Sequence, residues 1–334
     1  MSSSQFSYKS SGVDVKAGEA LVNSIKDMVK STHTPGVLAN IGGFGGFFKP
    51  DFAAFKNPVL VSSTDGVGTK LKVAFKTGVY HTIGQDLVNH CVNDIAVCGA
   101  QPLFFLDYFA TGKLDQDIAR QVIEGITIAC RENSCALVGG ETAEMPDIYS
   151  DGEFDMAGTI VGMVDQDQVY DGSKVQRGDV VIGIESSGLH TNGYSLARKV
   201  LFHHFDVDYY APELGSTIGE AMLAVHRSYL SHITELKKNS DVHAFSHITG
   251  GGIVGNTKRV VPNGLKLEID WSAWSIPPLF EMIRELGNVE IEDMREAFNM
   301  GIGLCVITGS DASEAVIETL KKMGEKPVVI GRIV

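Results

Sequence analysis

The chain has 334 residues, a length that supports about two domains, and its 44% hydrophobic and 21% charged residues are ordinary for a globular protein. A net charge of −13 gives it an acidic surface, which excludes nucleic acid as a partner while leaving room for small phosphorylated ligands held by local N–H groups and a cation. Five cysteines with no C-x-x-C pair exclude a disulfide framework and a zinc ribbon, and with no apolar run of membrane-spanning length a soluble cytoplasmic protein without a membrane partner is expected.

Residues 1–12 are polar and read as a mobile lead-in. Residues 14–30 place Val15, Leu21, Val22, Ile25, Met28 and Val29 at helical spacing. A glycine loop with aromatics, IGGFGGFF, follows at 41–48. A strand at 58–63 then ends in SSTDGVGTK (62–70). Here Gly66 and Gly68 let the backbone turn and aim N–H groups at an anion. Asp65 is a hard oxygen ligand for Mg²⁺, and Thr69 and Lys70 offer a hydroxyl and an ammonium to phosphate. A polar β-turn without a ligand fits this stretch equally well.

Residues 84–98, GQDLVNHCVNDIAVC, read as a buried helix with Asp86, His90 and Asp94 on one stripe, widened by Asn89 and Asn93. Polar groups buried without partners cost about 1–3 kcal/mol each. The stripe is therefore either a solvated face or a functional one, with Asp94 a second metal carboxylate. A strand (102–110), a helix (115–133) capped by Asp115, and strands at 135–139 and 156–164 complete this half. Between the last two strands lies GGETAEMPDIY (139–149), where glycines bring backbone close and Glu141, Thr142 and Glu144 follow. Asp65, Asp94 and Glu141 together would repel unless a cation sat between them.

The polar, turn-rich segment 165–178 reads as a domain boundary, dividing the chain into 1–168 and 169–334. Beyond it, strands at 179–185, 242–248, 265–270, 302–308 and 327–333 alternate with helices at 193–205, 217–238, 277–286 and 311–323. The alternation predicts an α/β or α+β layered fold. SSGLHTNGYS (186–195) leads into a helix N-terminus and carries His190, Thr191 and Asn192 as neutral donors. In HITGGGIVGN (247–256), Gly250, Gly252 and Gly255 fit G-x-G-x-x-G, with Asp270 twenty residues on. A dinucleotide site is nevertheless not expected, because Pro262-Asn263-Gly264 would stop the helix too early for a βαβ crossover. His203–His204 and His243…His247 read as surface and strand residues.

Taken together, DGVGTKLK (65–72), CVNDIAVCGAQPLFFLDYFATGKLD (91–115), GGETAEMP (139–146), DGSKV (171–175), GLHTNGYSLAR (188–198), HITGGG (247–252) and FNMGIG (298–303) resemble the phosphoribosylformylglycinamidine cyclo-ligase family, the aminoimidazole ribonucleotide synthetases of purine biosynthesis. The resemblance runs from about Tyr8 to the C-terminus. It implies a homodimer whose N-terminal mixed sheets pair across the subunits, followed by a C-terminal α/β layered domain. It also implies ATP as co-substrate with Mg²⁺, leaves a monovalent cation open, and takes formylglycinamidine ribonucleotide as the small-molecule substrate.

On this resemblance Asp65, Asp94 and Glu141 are the metal ligands, and Lys70 and Thr69 contact phosphate. Lys26, Gly43, Gly45, Gly66, Gly68 and Thr142 join them around the nucleotide. His190, Thr191, Asn192 and Gly250, Gly251 and Gly252 meet the substrate, with His190 assisting proton transfer. His190, Lys70, Asp65 and Asp94 are the expected catalytic set. Val225-His226 stands where a Pro-Thr pair is usual, Gly255 where a glutamate is, and Asp147 where a glycine is. The alternatives are another ATP-dependent phosphorylating enzyme of the same superfamily and a nucleotide-binding subunit without catalysis.

Overall fold

The structure, a computed structural model, describes residues 7–238 and 241–334. The first six residues of the expected lead-in lie outside it.

The first half contains α1 (Val15–Lys30), β1 (Pro58–Gly66), α2 (Leu71–Thr77), α3 (His81–Ala96), β2 (Gln101–Thr111), α4 (Gln116–Glu132), β3 (Ala136–Glu144) and β4 (Phe154–Asp165). Two helix starts follow directly from sequence. The Asp14 side chain accepts the Ala17 N–H ahead of α1, and Asp115 accepts the N–H groups of Asp117 and Ile118 ahead of α4. The sheet runs β1-β4-β2-β3. β4 is antiparallel to β1 and β2, whereas β2 and β3 are parallel and joined by α4, so the sheet is mixed. Ile95, Phe105, Ile126 and Ile160 belong to the core between this sheet and its helices.

The second half contains β5 (Val180–Glu185), α5 (Tyr194–His204), β6 (Tyr210–Ala211), β7 (Ser216–Thr217), α6 (Ile218–Met222), α7 (Leu230–Leu236), β8 (Val242–His247), α8 (Gly252–Thr257), β9 (Leu267–Ile269), α9 (Pro278–Gly287), α10 (Ile291–Ala297), β10 (Ile302–Thr308), α11 (Ser313–Lys322) and β11 (Val328–Ile333). Its five-stranded sheet, β8-β10-β5-β11-β9, is antiparallel at each pairing. The G-x-G-x-x-G run therefore opens a six-residue helix after a strand with no parallel neighbour, as the short spacing predicts.

One expected element is corrected. The helix read over 217–238 is two short helices, α6 and α7, separated by an extended segment. That segment is held open by the polar stripe of α3. Asp86 Oδ1 accepts the His226 N–H (2.6 Å), Asn89 Nδ2 donates to the His226 carbonyl (2.8 Å), and Asn93 bonds both the Arg227 carbonyl (2.8 Å) and the Tyr229 N–H (2.7 Å). Side chains of one domain thus satisfy the backbone of the other, and a helix here would withdraw the same groups.

Candidate active site

Asp65 lies at the end of β1 and Asp94 in the last turn of α3, and His90 stands between them. His90 Nε2 is 2.9 Å from Asp65 Oδ2 and 3.9 Å from Asp94 Oδ2. The other Asp94 oxygen, Oδ1, is 2.9 Å from His247 Nδ1, and the Ser63 hydroxyl donates to Asp94 Oδ2 at 3.0 Å. Burial pushes both carboxyls up. The hydrogen bond and charge of His90 at Asp65, and chiefly those of His247 at Asp94, outweigh it and hold both below the usual carboxylate range.

The hydrogen bonds continue between the two acids by a second route. His90 Nδ1 lies 2.7 Å from Thr191 Oγ1, which lies 3.3 Å from His226 Nδ1, and His226 Nε2 lies 2.9 Å from His247 Nε2. Carboxylates only accept, so both terminal ring nitrogens carry protons. Five links then need five protons. Thr191 supplies one, which leaves four for three rings, so one ring is an imidazolium. Burial disfavours charge on all three, but the hydrogen bond to Asp65 and the charges of Asp94, Asp65 and Asp86 raise the His90 pKa. Burial dominates at His226 and His247 and lowers theirs. His90 is therefore the ring that its surroundings most favour for the charge.

Around this centre several expected residues have other duties. Lys70 is 0% exposed. Its ammonium meets Asp86 Oδ2 (2.7 Å), the Ala224 carbonyl (2.7 Å) and the His190 carbonyl (3.1 Å). Three acceptors take its three protons, so the expectation of a phosphate contact is corrected. Burial lowers the Lys70 pKa and raises that of Asp86, each opposed by the other's charge. His190 is also fully buried and is corrected as a substrate contact. Its ring stacks on His226 with centroids 4.0 Å apart, and its Nε2 accepts from the Ser187 N–H. The Thr191 hydroxyl is taken up by two imidazoles instead of facing a ligand.

Glu141 is corrected as well. It lies on β3, and the order β1-β4-β2-β3 puts it on the opposite edge of the sheet from Asp65, three strand spacings or roughly 14 Å away. One ion cannot take both within one chain. The Gly251 N–H is bonded to the Glu296 carbonyl (3.0 Å), and a Cβ on Gly252 would lie 1.8 Å from the Arg295 carbonyl. These two glycines therefore serve close packing, which corrects their assignment to a ligand. Gly250 stays exposed beside Asn192, whose buried Nδ2 has no partner among the described residues.

Gly43, Gly45, Glu141 and Thr142 line a cleft of about 610 Å³ between the 41–46 loop, α1 and β3, floored by Ile25, Ile123 and Leu137. Lys26 is exposed on α1 and borders a neighbouring recess with Asn40 and Ile41. Gly66 ends β1 beside Met156, Gly68 takes a left-handed φ of +54°, and Thr69 Oγ1 reaches Ser195 Oγ of α5 at 3.2 Å.

Three contributors escaped the sequence reading. The sequence marks His247 only as a strand residue and His226 only as a departure from the family pattern, and it assigns Asp107 no role. The last had a signal, an acid inside the apolar run PLFFLDYFA. In the β2–β4–β1 register Asp107 and Asp65 flank Gly158 from either side, on the same face and roughly 10 Å apart.

Two family models match the chain: AIR synthase related protein, N-terminal domain, over residues 50–164, and the corresponding C-terminal domain over 176–334. The phosphoribosylformylglycinamidine cyclo-ligase of Trichlorobacter lovleyi is 47% identical across 100% of this chain and 96% of its own length. That of Sorangium cellulosum is 48% identical across 98% and 95%. Among solved structures, the thiamine-monophosphate kinase of Stenotrophomonas maltophilia superposes with a TM-score of 0.69 at 18% identity, covering 93% of each chain. The hydrogenase maturation protein HypE in complex with ATP gives 0.69 at 19%, covering 97% of this chain and 88% of its own. Those two establish the fold; the full-length relatives establish more, and the chain belongs to the phosphoribosylformylglycinamidine cyclo-ligase family, ring-closing ligases of purine biosynthesis.

Proposed function

We propose that the chain phosphorylates the formamide oxygen of formylglycinamidine ribonucleotide with ATP and then closes the imidazole ring. A formamide carbon is a poor electrophile and its oxygen a poor leaving group. Transfer of the γ-phosphoryl group releases ADP and makes an iminophosphate. An amidine nitrogen of the same molecule then attacks that carbon, phosphate leaves with the oxygen, and the nitrogen gives up a proton. Holding the chain folded replaces a bimolecular encounter, and the transfer itself asks mainly for positioning and charge neutralisation.

The observation that carries this reading is the meeting of Asp65 and Asp94 at a solvent-open point, both ionised at neutral pH. These two would hold the Mg²⁺ of ATP, which when bound neutralises the triphosphate. Gly66, Gly68 and Thr69 turn the backbone beside them. The nucleotide would occupy the glycine-walled cleft, with Gly43 and Gly45 closing over it to exclude water, Thr142 on its wall and Lys26 at its border. Asn192 and Gly250 remain for the substrate. The two domains are 1–168 and 169–334, and the active form is a homodimer.

A coupled assay for ADP and the aminoimidazole product tests the reading. Wild type should form both in equal amounts, and Asp65→Asn should form neither while keeping its circular dichroism. Mg–ATP binding with no product would leave a nucleotide-binding subunit. Normal turnover by the variant would remove Asp65 from the site.

A further inference from the structure

Asp107 is an acid set in a row of core side chains. Strand alternation places it on β2 between Phe105 and Phe109, which are 0% and 3% exposed, and it is itself 8% exposed. Among the described residues only its own backbone N–H reaches its carboxyl. A buried polar group without a partner costs about 1–3 kcal/mol, and a charged one more, so such a group asks for an explanation. The neighbouring strand leaves it an opening. Gly140 pairs with Asp107 across β2 and β3 and is exposed, and a Cβ there would lie 2.1 Å from Asp107 Oδ1. The carboxyl thus leans over a residue that has no side chain.

Asp107 also lines the glycine-walled cleft, together with the apolar floor of Ile25, Ile123 and Leu137. Apolar surface with one placed polar group is the usual make-up of a small-molecule pocket. The surface holds a flat ring, and the polar group fixes its orientation. Of the parts of ATP, the base is the flat one. The triphosphate would be repelled by an ionised carboxyl, and an apolar floor matches a sugar poorly. An acceptor needs a donor, and the only N–H donor on the adenine of a nucleotide is its 6-amino group. Burial pushes the Asp107 pKa up to about 7. Both forms of the group can therefore meet the same edge of the base at neutral pH: the carboxylate accepts from the amine, and the protonated acid can also donate to the adjoining ring nitrogen, N1.

We propose that Asp107 is the base-specificity residue of the cleft, its carboxyl accepting a hydrogen bond from the 6-amino group of adenine across Gly140. This rests on the reading that places the nucleotide in the cleft, and it adds the atom that selects the base.

Calorimetric titration of the full chain with magnesium triphosphates, without the amidine substrate, tests the contact. The probes are ATP, purine riboside triphosphate, which carries hydrogen in place of the 6-amino group, and 2′-deoxy-ATP. Wild type should bind purine riboside triphosphate about 10–100-fold more weakly than ATP, and 2′-deoxy-ATP about as well as ATP. Asp107→Leu should bind ATP and purine riboside triphosphate alike, a levelling that a purely structural role for the acid would not produce. If that variant fails to fold by circular dichroism, Gly140→Ala takes its place. Its added methyl group displaces the carboxyl from the opening, and the same levelling is expected. Equal wild-type affinities for ATP and purine riboside triphosphate would overturn the proposal whichever variant folds, as would an undiminished preference in a folded variant. A loss on removing the 2′-hydroxyl that vanishes in Asp107→Leu would put the sugar over the carboxyl and overturn it too. Failure of wild type to bind Mg–ATP at all would instead overturn the placement of the nucleotide, and the contact with it.

Discussion

Asp107 occupies the helix-covered face of the first sheet, next to Phe105 and Phe109 in the same alternation, and is 8% exposed. Gly140 across the strand pair makes room for it, since a Cβ there would lie 2.1 Å from Asp107 Oδ1. Part of the reason for the Gly139-Gly140 pair is therefore this carboxyl. Burial pushes its pKa up to about 7, with its own backbone N–H holding it back. The unfolded carboxyl ionises near 3.9. Between about pH 4 and 7 the folded state binds the extra proton, so stability falls as pH rises, by on the order of a few kcal/mol in total. Asp107→Asn carries no titrating proton. In denaturant melts its stability should gain on wild type from pH 4 to pH 7 and run parallel above that. Parallel curves throughout would mean that the carboxyl ionises normally. Other residues at this scale divide by how much chemistry their neighbours in sequence reveal. Asp65 and Asp94 were legible because a carboxylate beside glycines, or on an apolar helix, conflicts with its surroundings. Lys70 and His190 looked functional for the same reason, yet the two carbonyls that take up the Lys70 ammonium lie 120 and 154 residues away, and the ring that stacks on His190 belongs to the distant segment of His226. No local spacing reveals that.

Elements were legible where their own sequence decides them and not where another element does. α1 and α4 begin at capping aspartates and keep one apolar face, and β10 spans the expected 302–308. The region 217–238 has helical periodicity but yields to α3, whose Asp86, Asn89 and Asn93 claim the backbone of 226–229. The demand of those side chains for partners was readable; the segment that meets it was not. The contact between α3 and α4 is a second case. A Cβ on Gly84 would lie 2.2 Å from the Val122 carbonyl oxygen, and one on Gly125 would lie 1.9 Å from that of His81. Backbone touches backbone here, so neither helix can yield by moving a side chain. Alanine in a helix is favoured over glycine by about 1 kcal/mol, but overpacking costs about 1–3 kcal/mol or more. Gly125→Ala should therefore be net destabilising in urea melts. Gly18→Ala in α1, with open space around the added carbon, should gain up to about 1 kcal/mol. A Gly125→Ala protein as stable as wild type would show that the helices separate freely.

At the scale of the whole molecule, the first sheet covers one face with α3 and α4 and turns the other outward. Cross-strand pairing puts Leu60, Phe104, Leu106, Val161 and Tyr108 on that outer face, with Leu60 63% and Tyr108 38% exposed. Phe48 covers only the Phe104 corner, at 5.4 Å between ring centroids. An apolar sheet face of this kind is usually buried against a partner, and a second copy of the same sheet would bury it symmetrically. Charge opposes that pairing, because each chain carries −13 and two copies repel through water over about a Debye length. Apolar burial is insensitive to this repulsion, so the dimer should tighten between about 0.01 and 0.15 M salt, where the Debye length falls from about 30 to 8 Å. Sedimentation equilibrium at micromolar concentration should show a dimer under the higher-salt condition. Leu60→Lys would place two ammonium groups in the buried patch and should yield a folded monomer. A wild-type monomer, or a Leu60→Lys dimer of unchanged affinity, would place the subunit contact elsewhere, and the outer sheet face would then need a different cover.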